Sequence, residues 1–564
     1  LSFKKWASLT SISHSNFGDI RMGKNRRYGY DQWGLTPFYS TNDRTSFSPT
    51  PLKNENPLIQ KNTGYDQIDL MQKFLVQLGG QNQFVLNLQY SNSSDISRYD
   101  KLVEERNGTL RYAEWYYGPQ KRFLLSPQLK IFPEKKFLNS GKITFAFQKL
   151  EESRNNRFFN SLTRNFQREK VNALSLNGDF EFQLKEEHSF SYGFEGVFND
   201  ISSYAHQYDL ILQQNEIIGS SPNLPIPTRY PNRGSSYGSY AVYLNWIWDL
   251  SSQLTLNAGI RLTSTHLRAK WGQSYNINSL LSRVQLDAEA LTETLALTYR
   301  PNKNTQWNAI LSNGFRNPNI DDVGKIRESR GTLIVPNPML FPEYAYNFEL
   351  GLTKYLNQPR NYFSFRGFST LLSRHIGRDT FTIFADQSTP SMNTILYNGE
   401  ELTTYANNNL GDRYIFGGSI DGNFSFTDQL SLRGDLNIIE AAKSKKYGPL
   451  PSISPVFGNL VLTYQKEAWF ASMRYQFSGS KALEDYSEGG EDGLDETPLI
   501  SEDPDLYAGT PAWSELSFLS QYQWNDKIHL RMGLDNIFDV HYRSFASGIS
   551  APGRNFKLGV NIQF

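Results

Sequence analysis

Cysteine is absent from the 564 residues. That removes a disulfide framework, a thiolate metal site and a cysteine nucleophile, and it fits an oxidising compartment outside the cytoplasm. No apolar run reaches the length of about 18 residues that a transmembrane helix needs. Neither sign of charge is in excess. Lys and Arg number 57 and Asp and Glu 56, for a net charge of +1. A chain built to neutralise phosphates carries a basic surplus, so nucleic acid is not an expected partner. Histidine occurs seven times, never at H-x-x-x-H metal spacing. There is no G-x-S-x-G, H-E-x-x-H or Walker segment, so no enzyme is expected. The opening residues do not read as a cleavable leader. The opening LSFKKWASLT reads as the middle of a strand, and the natural chain is expected to start upstream.

Aromatic residues, by contrast, are abundant: 38 Phe, 32 Tyr and 10 Trp, or 14% of the chain. Yet mean hydropathy is only −0.53. Length alone would suggest three or four soluble domains. A membrane β-barrel reconciles the two facts. Its strands alternate apolar-out with polar-in, and aromatic girdles sit at both interfaces.

Period two dominates the sequence. In YDQIDLMQKFLVQL, Ile68, Leu70, Phe74, Val76 and Leu78 share one face, with Gln67, Asp69, Lys73 and Gln77 on the other. GGQN then marks a turn, and Phe84, Leu86, Leu88 and Tyr90 repeat the pattern. The chain ends the same way on Phe556, Leu558, Val560, Ile562 and Phe564. About twenty such strands can be placed, starting near residues 2, 65, 82, 122, 140, 171, 188, 237, 253, 290, 305, 344, 362, 413, 429, 457, 468, 513, 527 and 555. Their connections read as strictly alternating between short (GGQN, PEKKFLNSG, KEEH, DLSSQ, PNKN, NQPRN, TDQ, QKEA, NDK) and long (among them 15–64, 96–121, 200–236, 264–288, 314–343, 375–412, 479–512). The expected fold is therefore all-β, a transmembrane antiparallel barrel with long extracellular loops, short periplasmic turns and both termini periplasmic. In lipid every backbone polar group must be paired, so the sheet must close. A lumen this wide is either an open pore or plugged. No fixed repeat supports a solenoid or propeller.

Several segments resemble the TonB-dependent outer-membrane receptors. In LRMGLDNIFDVHY, residues Asn536, Phe538, Asp539 and Tyr542 match that family's N-L-F-D…Y pattern, with Ile537 in place of Leu. Pro552, Gly553 and Arg554 match its P-G-R, and Phe564 its terminal aromatic. Gly314, Phe315, Arg316 and Pro318 resemble G-F-R-A-P. Pro342, Glu343, Asn347, Glu349 and Gly351 resemble P-E-x-x-x-N-x-E-x-G. FRNP (315–318) followed by NPML (337–340) is similar to the haem and iron-complex branch. It has Asn317 where that branch has Ala, Met339 where it has Asp, and no histidine between residues 318 and 337. The resemblance implies 22 strands, an N-terminal plug and a TonB box. Residues 1–564 then form a single barrel domain, with plug and first hairpin expected outside them. The Asn- and Tyr-rich style suggests a Bacteroidota-like host.

Candidate ligand contacts lie in the long connections. Tyr112, Trp115, Tyr116 and Tyr117 offer ring faces, His206 and His375 offer imidazoles, and Arg316, Asn317 and Asn319 offer polar groups. The basic cluster Arg21, Lys24, Arg26 and Arg27 could attract an anion, or be a surface run. Stretch 484–505 holds ten carboxylates, among them Glu491, Asp492 and Asp495. It could hold Ca²⁺ or be a solvated acidic loop. No intrinsic cofactor is implied. The resemblance implies active, TonB-dependent uptake across the Gram-negative outer membrane of a scarce ligand: an iron complex, a siderophore or haem, then cobalamin, peptides or glycans. Outer-membrane lipid, TonB acting through the plug, and a surface lipoprotein lid or larger complex are the expected partners. A structural or assembly role in an outer-membrane complex and a passive porin are the alternatives.

Overall fold

The computed structural model describes the chain except residues 1–2, 27–28, 107, 134, 136, 273–282, 330, 357–359, 384–392, 398–399, 488 and 501–505. Its main sheet has 24 strands. Twenty are long, from Trp6–Phe17 to Asn555–Ile562, and each pairs antiparallel with the next long strand in the chain. The other four (Ile96–Ser97, Tyr112–Tyr117, Glu216–Ser220, Leu224–Pro225) are short additions at one end.

Side-chain alternation fixes which face is which. Ile68, Leu70, Phe74, Val76 and Leu78 are all exposed on the outside of strand Tyr65–Gly79. Asp69, on the opposite face, accepts hydrogen bonds from Ser91 Oγ (2.5 Å) and Gln67 Nε2 (2.9 Å). Arg261 likewise reaches Glu195 across two strands at 2.7 Å. The apolar faces continue in Val242, Leu244, Ile260, Leu262, Leu295, Leu311 and Phe416. A contiguous apolar surface of that extent is incompatible with water and is the lipid face of a barrel.

One end carries tight turns. Residues 80–81, 186–187, 252–253, 303–304 and 467–468 each join two strands. Gly79 and Gly80 adopt φ of +114° and +57° at the first of these, which a residue with a Cβ resists. Register places both chain ends here: Trp6 faces Val76 close to this turn, and Ile562 faces Ile528. At the opposite end the first and last long connections meet. Asn25 bridges Val540, Met22 bridges Pro552, and the Gln60 amide exchanges hydrogen bonds with Ser550. These contacts tie the first long connection to the last.

Strict alternation of connection length fails once. Strands Ser140–Phe158 and Thr163–Lys185 are joined by only four residues, 159–162. Their length lies in the strands, which run with Thr163–Lys185 and His188–Gln213 beyond the apolar band as a protruding ladder. Stretches 200–236 and 264–288 are correspondingly strand in part. The connections also build structure of their own. Arg327–Ser329, Thr332–Ile334, Ile376–Thr380, Thr394–Tyr397 and Glu400–Asn409 form a five-stranded loop sheet. Buried apolar clusters sit in this loop layer, around Leu267, Val323 and Leu340 and around Leu333, Val335 and Leu402. The barrel wall has its apolar side on lipid, and among the described residues the buried apolar clusters lie in this outer layer.

Candidate functional site: the loop-layer vestibule

The motif residues of the central block are tied into one hub. Phe315 and Arg316 end strand Thr305–Arg316, and Pro318 precedes the short helix Ile320–Gly324. Arg316 donates to Asp322 Oδ1 at 2.5 Å, and Asn407 Nδ2 donates to the same oxygen at 2.9 Å. Asp322 Oδ2 accepts the Asn319 N–H, while the Asn319 side chain caps the helix in return. Asn317 is buried and donates to Thr265 Oγ1 at 2.7 Å. Pro342 sits just before strand Glu343–Tyr355, where a missing N–H does no harm. Glu343 Oε2 accepts the Ile376 N–H at 2.6 Å and lies 2.8 Å from His375 Nδ1. Arg316, Asn317, Asn319 and His375 are thus brought together, chiefly through contacts with one another's neighbours.

The aromatic stretch is placed differently. Tyr112, Trp115 and Tyr116 are buried in strand Tyr112–Tyr117. Tyr112 stacks on Phe158 at 4.9 Å, Trp115 meets Tyr117 edge-on at 5.2 Å, and Arg98 lies over the Trp115 ring at 4.9 Å. Their faces are covered by protein. His206 packs against Phe166 and Tyr208 on the protruding ladder, far from the hub in the sheet order.

The closing motif is a knot. Asn536 adopts φ +45°. Its amide donates to the carbonyls of Val540 (2.8 Å) and Pro552 (3.1 Å), and its Oδ1 accepts the Val540 N–H (2.9 Å). Asp539 Oδ1 accepts the Arg554 N–H, and Arg554 Nε donates to the Ile537 carbonyl. A Cβ on Gly553 would fall 2.4 Å from Asp539 Oδ1. Phe538 is exposed, and so is Phe564 at the turn end. Arg21, from the basic cluster, pairs with Asp539 at 3.7 Å, and Arg26 donates to the Trp33 carbonyl; Arg27 lies outside the described residues.

In the acidic stretch the carboxylates diverge. Asp492 is buried, accepts the Ser452 N–H at 2.7 Å and pairs with Lys481. Glu491 faces Arg378 at 3.6 Å. Asp495 lines a large cavity that Glu491 also borders. Among the described residues no three His, Asp or Glu side chains converge as a cation site. Glu488, Glu502, Asp503 and Asp505 lie outside those residues.

That cavity, of about 1200 Å³, lies in the loop layer. Six separate connections line it, supplying Trp33, Arg98, Arg327, Arg378, Glu496 and Ser547 among others. Its charges are largely paired: Arg98 with Asp100 (3.1 Å), Arg378 with Glu491, and Glu496 with Arg543 (3.2 Å). Arg327 stands near Arg98 and Arg378 on this lining, which also carries seven carboxylates, from Asp31, Asp100, Glu104, Glu105, Glu491, Asp495 and Glu496. Burial, and then Arg98, Arg378 and Arg229, push Arg327 down to about 10. Burial raises Glu491 against the pull of Arg378. No histidine lines this cavity. At 300–1,000 Å³ for typical small-molecule sites, its volume suits a ligand larger than porin solutes. Sequence reasoning missed Trp33, Arg98, Arg327 and Arg378. They come from distant connections, and no local pattern joins them.

The model of the TonB-dependent receptor-like β-barrel matches residues 10–537. No curated protein matches. Among solved structures, the copper transporter OprC superposes over 100% of this chain and 77% of its own, with 12% identity and a TM-score of 0.73. A ferric enterobactin receptor of Pseudomonas aeruginosa covers 100% and 76% at 13% identity and a TM-score of 0.68. The hemophore receptor HasR of Serratia marcescens covers 100% and 77% at 13% and 0.66. The family comprises transporters and receptors of the Gram-negative outer membrane, not enzymes. This chain belongs to it, as a TonB-dependent receptor β-barrel.

Proposed function

We propose that this barrel takes up a scarce chelated metal, an iron complex or siderophore foremost, by active TonB-dependent transport. The vestibule carries the reading: about 1200 Å³, built from several connections, at one end of a receptor-family barrel. The loop end faces the medium and the turn end, with both termini, faces the periplasm. The Arg98, Arg327 and Arg378 guanidinium groups are donors for the oxygen periphery of a ferric chelate, and Trp33, Tyr30 and Tyr507 offer ring surface. With no histidine in the cavity, an iron complex that brings its own ligands fits better than haem. The metal is cargo, not a resident cofactor. Energy arrives through TonB and a plug; a hemophore-like or lipoprotein partner would seat on the loop layer.

The test uses the full-length gene product. Binding of ferric siderophores, haem and Cu²⁺ complexes is measured by intrinsic Trp quenching, with capture of the TonB C-terminal domain as second readout. Saturable binding of one ferric chelate that promotes TonB capture supports the proposal. A large steady conductance in planar bilayers with no ligand binding overturns it in favour of a porin. Stable co-purification with other outer-membrane proteins, without uptake, overturns it in favour of a structural role.

A further inference from the structure

The outer wall of the barrel carries a groove of about 900 Å³ on its lipid side. Pairing register shows that it runs across the strands, between two rows of outward side chains. Ile260, Glu293, Asn313, Tyr346 and Tyr414 belong to one row. Trp246, Ala258, Leu295, Leu311 and Phe348 form the row beside it, nearer the turn end.

Two neighbours in the first row are polar. Glu293 is exposed between Leu291 and Leu295 on the outward face of strand Arg283–Asn302. The outward residues of that strand run from Tyr299 at the turn end up to Glu289. At about 3.3 Å per residue and a tilt of about 40°, that stretch rises roughly 25 Å, the height of an apolar band. Glu293 then stands roughly 10 Å inside the loop-end margin, level with the ring belt to which Tyr344 and Tyr346 belong. Among the described residues nothing donates to its carboxylate, and no Lys, Arg or His lines the groove. A carboxylate facing hydrocarbon is unfavourable unless it receives a hydrogen bond.

Asn313 stands across a seam. Pairing between Arg283–Asn302 and Thr305–Arg316 stops at Thr294↔Ser312, and beyond that rung 283–293 pair, among the described residues, with Leu254–Lys270 only. The Asn313 side chain bridges the parting by accepting the Glu293 N–H at 2.5 Å. The accepting atom is the amide oxygen, so the nitrogen is left as a donor, and it has no partner among the described residues. The groove therefore presents an acceptor and a donor side by side, with an apolar wall below them. A lipid ester offers acceptors alone. A lipid amide offers one of each, at the boundary between its head and its chain.

We propose that this groove is a site for one amide-linked membrane lipid. Its N–H donates to the Glu293 carboxylate, its carbonyl accepts from Asn313 Nδ2, and its acyl chain lies between the two rows over Leu295 and Leu311. With no cation on the lining, the site selects the linkage and not a phosphate head. Neither polar group takes part in the vestibule, so the site stands whatever the barrel transports.

Purified full-length protein, washed free of lipid in detergent, is offered a ceramide and a diacylglycerol of equal chain length in equal amounts. Native mass spectrometry counts the lipid retained. One ceramide per barrel is expected, held about tenfold over the diacylglycerol, as a hydrogen bond to a charged group allows. Glu293→Leu should abolish the preference and Asn313→Leu should reduce it. Gln285→Leu, further along the same strand and beyond the apolar band, should leave it unchanged. Glu293→Leu removes a charge from the lipid face and does not endanger folding; heat-modifiable gel mobility verifies this for each variant. Equal retention of the two lipids, or a preference that persists in folded Glu293→Leu, overturns the proposal. A co-purifying protein that Glu293→Leu releases also overturns it, by making the groove a protein interface. Since no transport is measured, failure here is distinct from failure of the uptake reading.

Discussion

His541 shows how much one buried side chain can report. It is 2% exposed, meets Trp33 edge-on at 4.9 Å, and its Nε2 lies 2.9 Å from Ser550 Oγ. Burial, then Arg26 and Arg543, hold it down at about 3. Unfolded, the ring titrates near its ordinary value of about 6.5. Between those values the unfolded chain binds the extra proton, so stability falls as pH drops from about 6.5 towards 3 and is flat above 7. Hydrogen exchange of residues 536–554 across that range should show this loss, and His541→Gln should flatten it; an unchanged slope in the variant refutes the assignment. The neighbouring Asn536 combines a positive φ with three hydrogen bonds. Asn536→Ala should cost about 2–4 kcal/mol, losing bonds and conformation together, and Asn536→Gly somewhat less. Chemical unfolding midpoints rank the two; equal midpoints would deny the backbone contribution. These motif residues were legible as a pattern, but their work as a knot was not. Conversely, Tyr112–Tyr117 looks in sequence like ligand-binding rings. Burial separates a packed ring from an offered one, and sequence does not carry burial.

Strands were the most legible elements, because lipid outside and water inside impose period two on each. Starts at 65, 82, 140, 188, 305, 362, 413, 457, 513 and 555 coincide with the observed ones. What escaped is strand that continues beyond the bilayer. Residues 149–170 are charged on both faces, so alternation is lost although pairing continues. Ion pairs replace apolar contact there. Glu114, fully buried, receives Arg157 Nε at 2.6 Å and Arg164 Nε at 2.7 Å. Removing its charge strands two buried guanidinium groups, which typically costs about 3–5 kcal/mol. Glu114→Gln should therefore open 150–170 to limited proteolysis while the strands within the apolar band stay protected. Protection of 150–170 equal to that of the unaltered protein would show the triad to be unimportant.

Across the whole molecule, two solvents divide the side chains that a soluble domain would sort by burial alone. The aromatic, low-hydropathy composition follows from that division: rings and aliphatics cover the outside, amides and charges line the inside, and among the described residues the buried apolar clusters lie in the loop layer. The vestibule was illegible because its walls come from connections hundreds of residues apart, such as Trp33 and Tyr507. The barrel itself makes a sharp demand. Leu311 and Ser312 are adjacent in mid-strand, and Leu311 is 55% exposed on the apolar face while Ser312 points the other way. An arginine facing the bilayer interior costs about 2–4 kcal/mol, whereas one facing a wet lumen costs little. Leu311→Arg should lower the yield of folded, heat-modifiable protein and its stability in bilayers, and Ser312→Arg should leave both nearly unchanged. In a water-soluble β-sandwich the order would reverse, with the exposed position tolerant and the shielded one sensitive. The ranking of these two neighbours therefore tests, with one pair of substitutions, whether the exposed apolar face meets lipid.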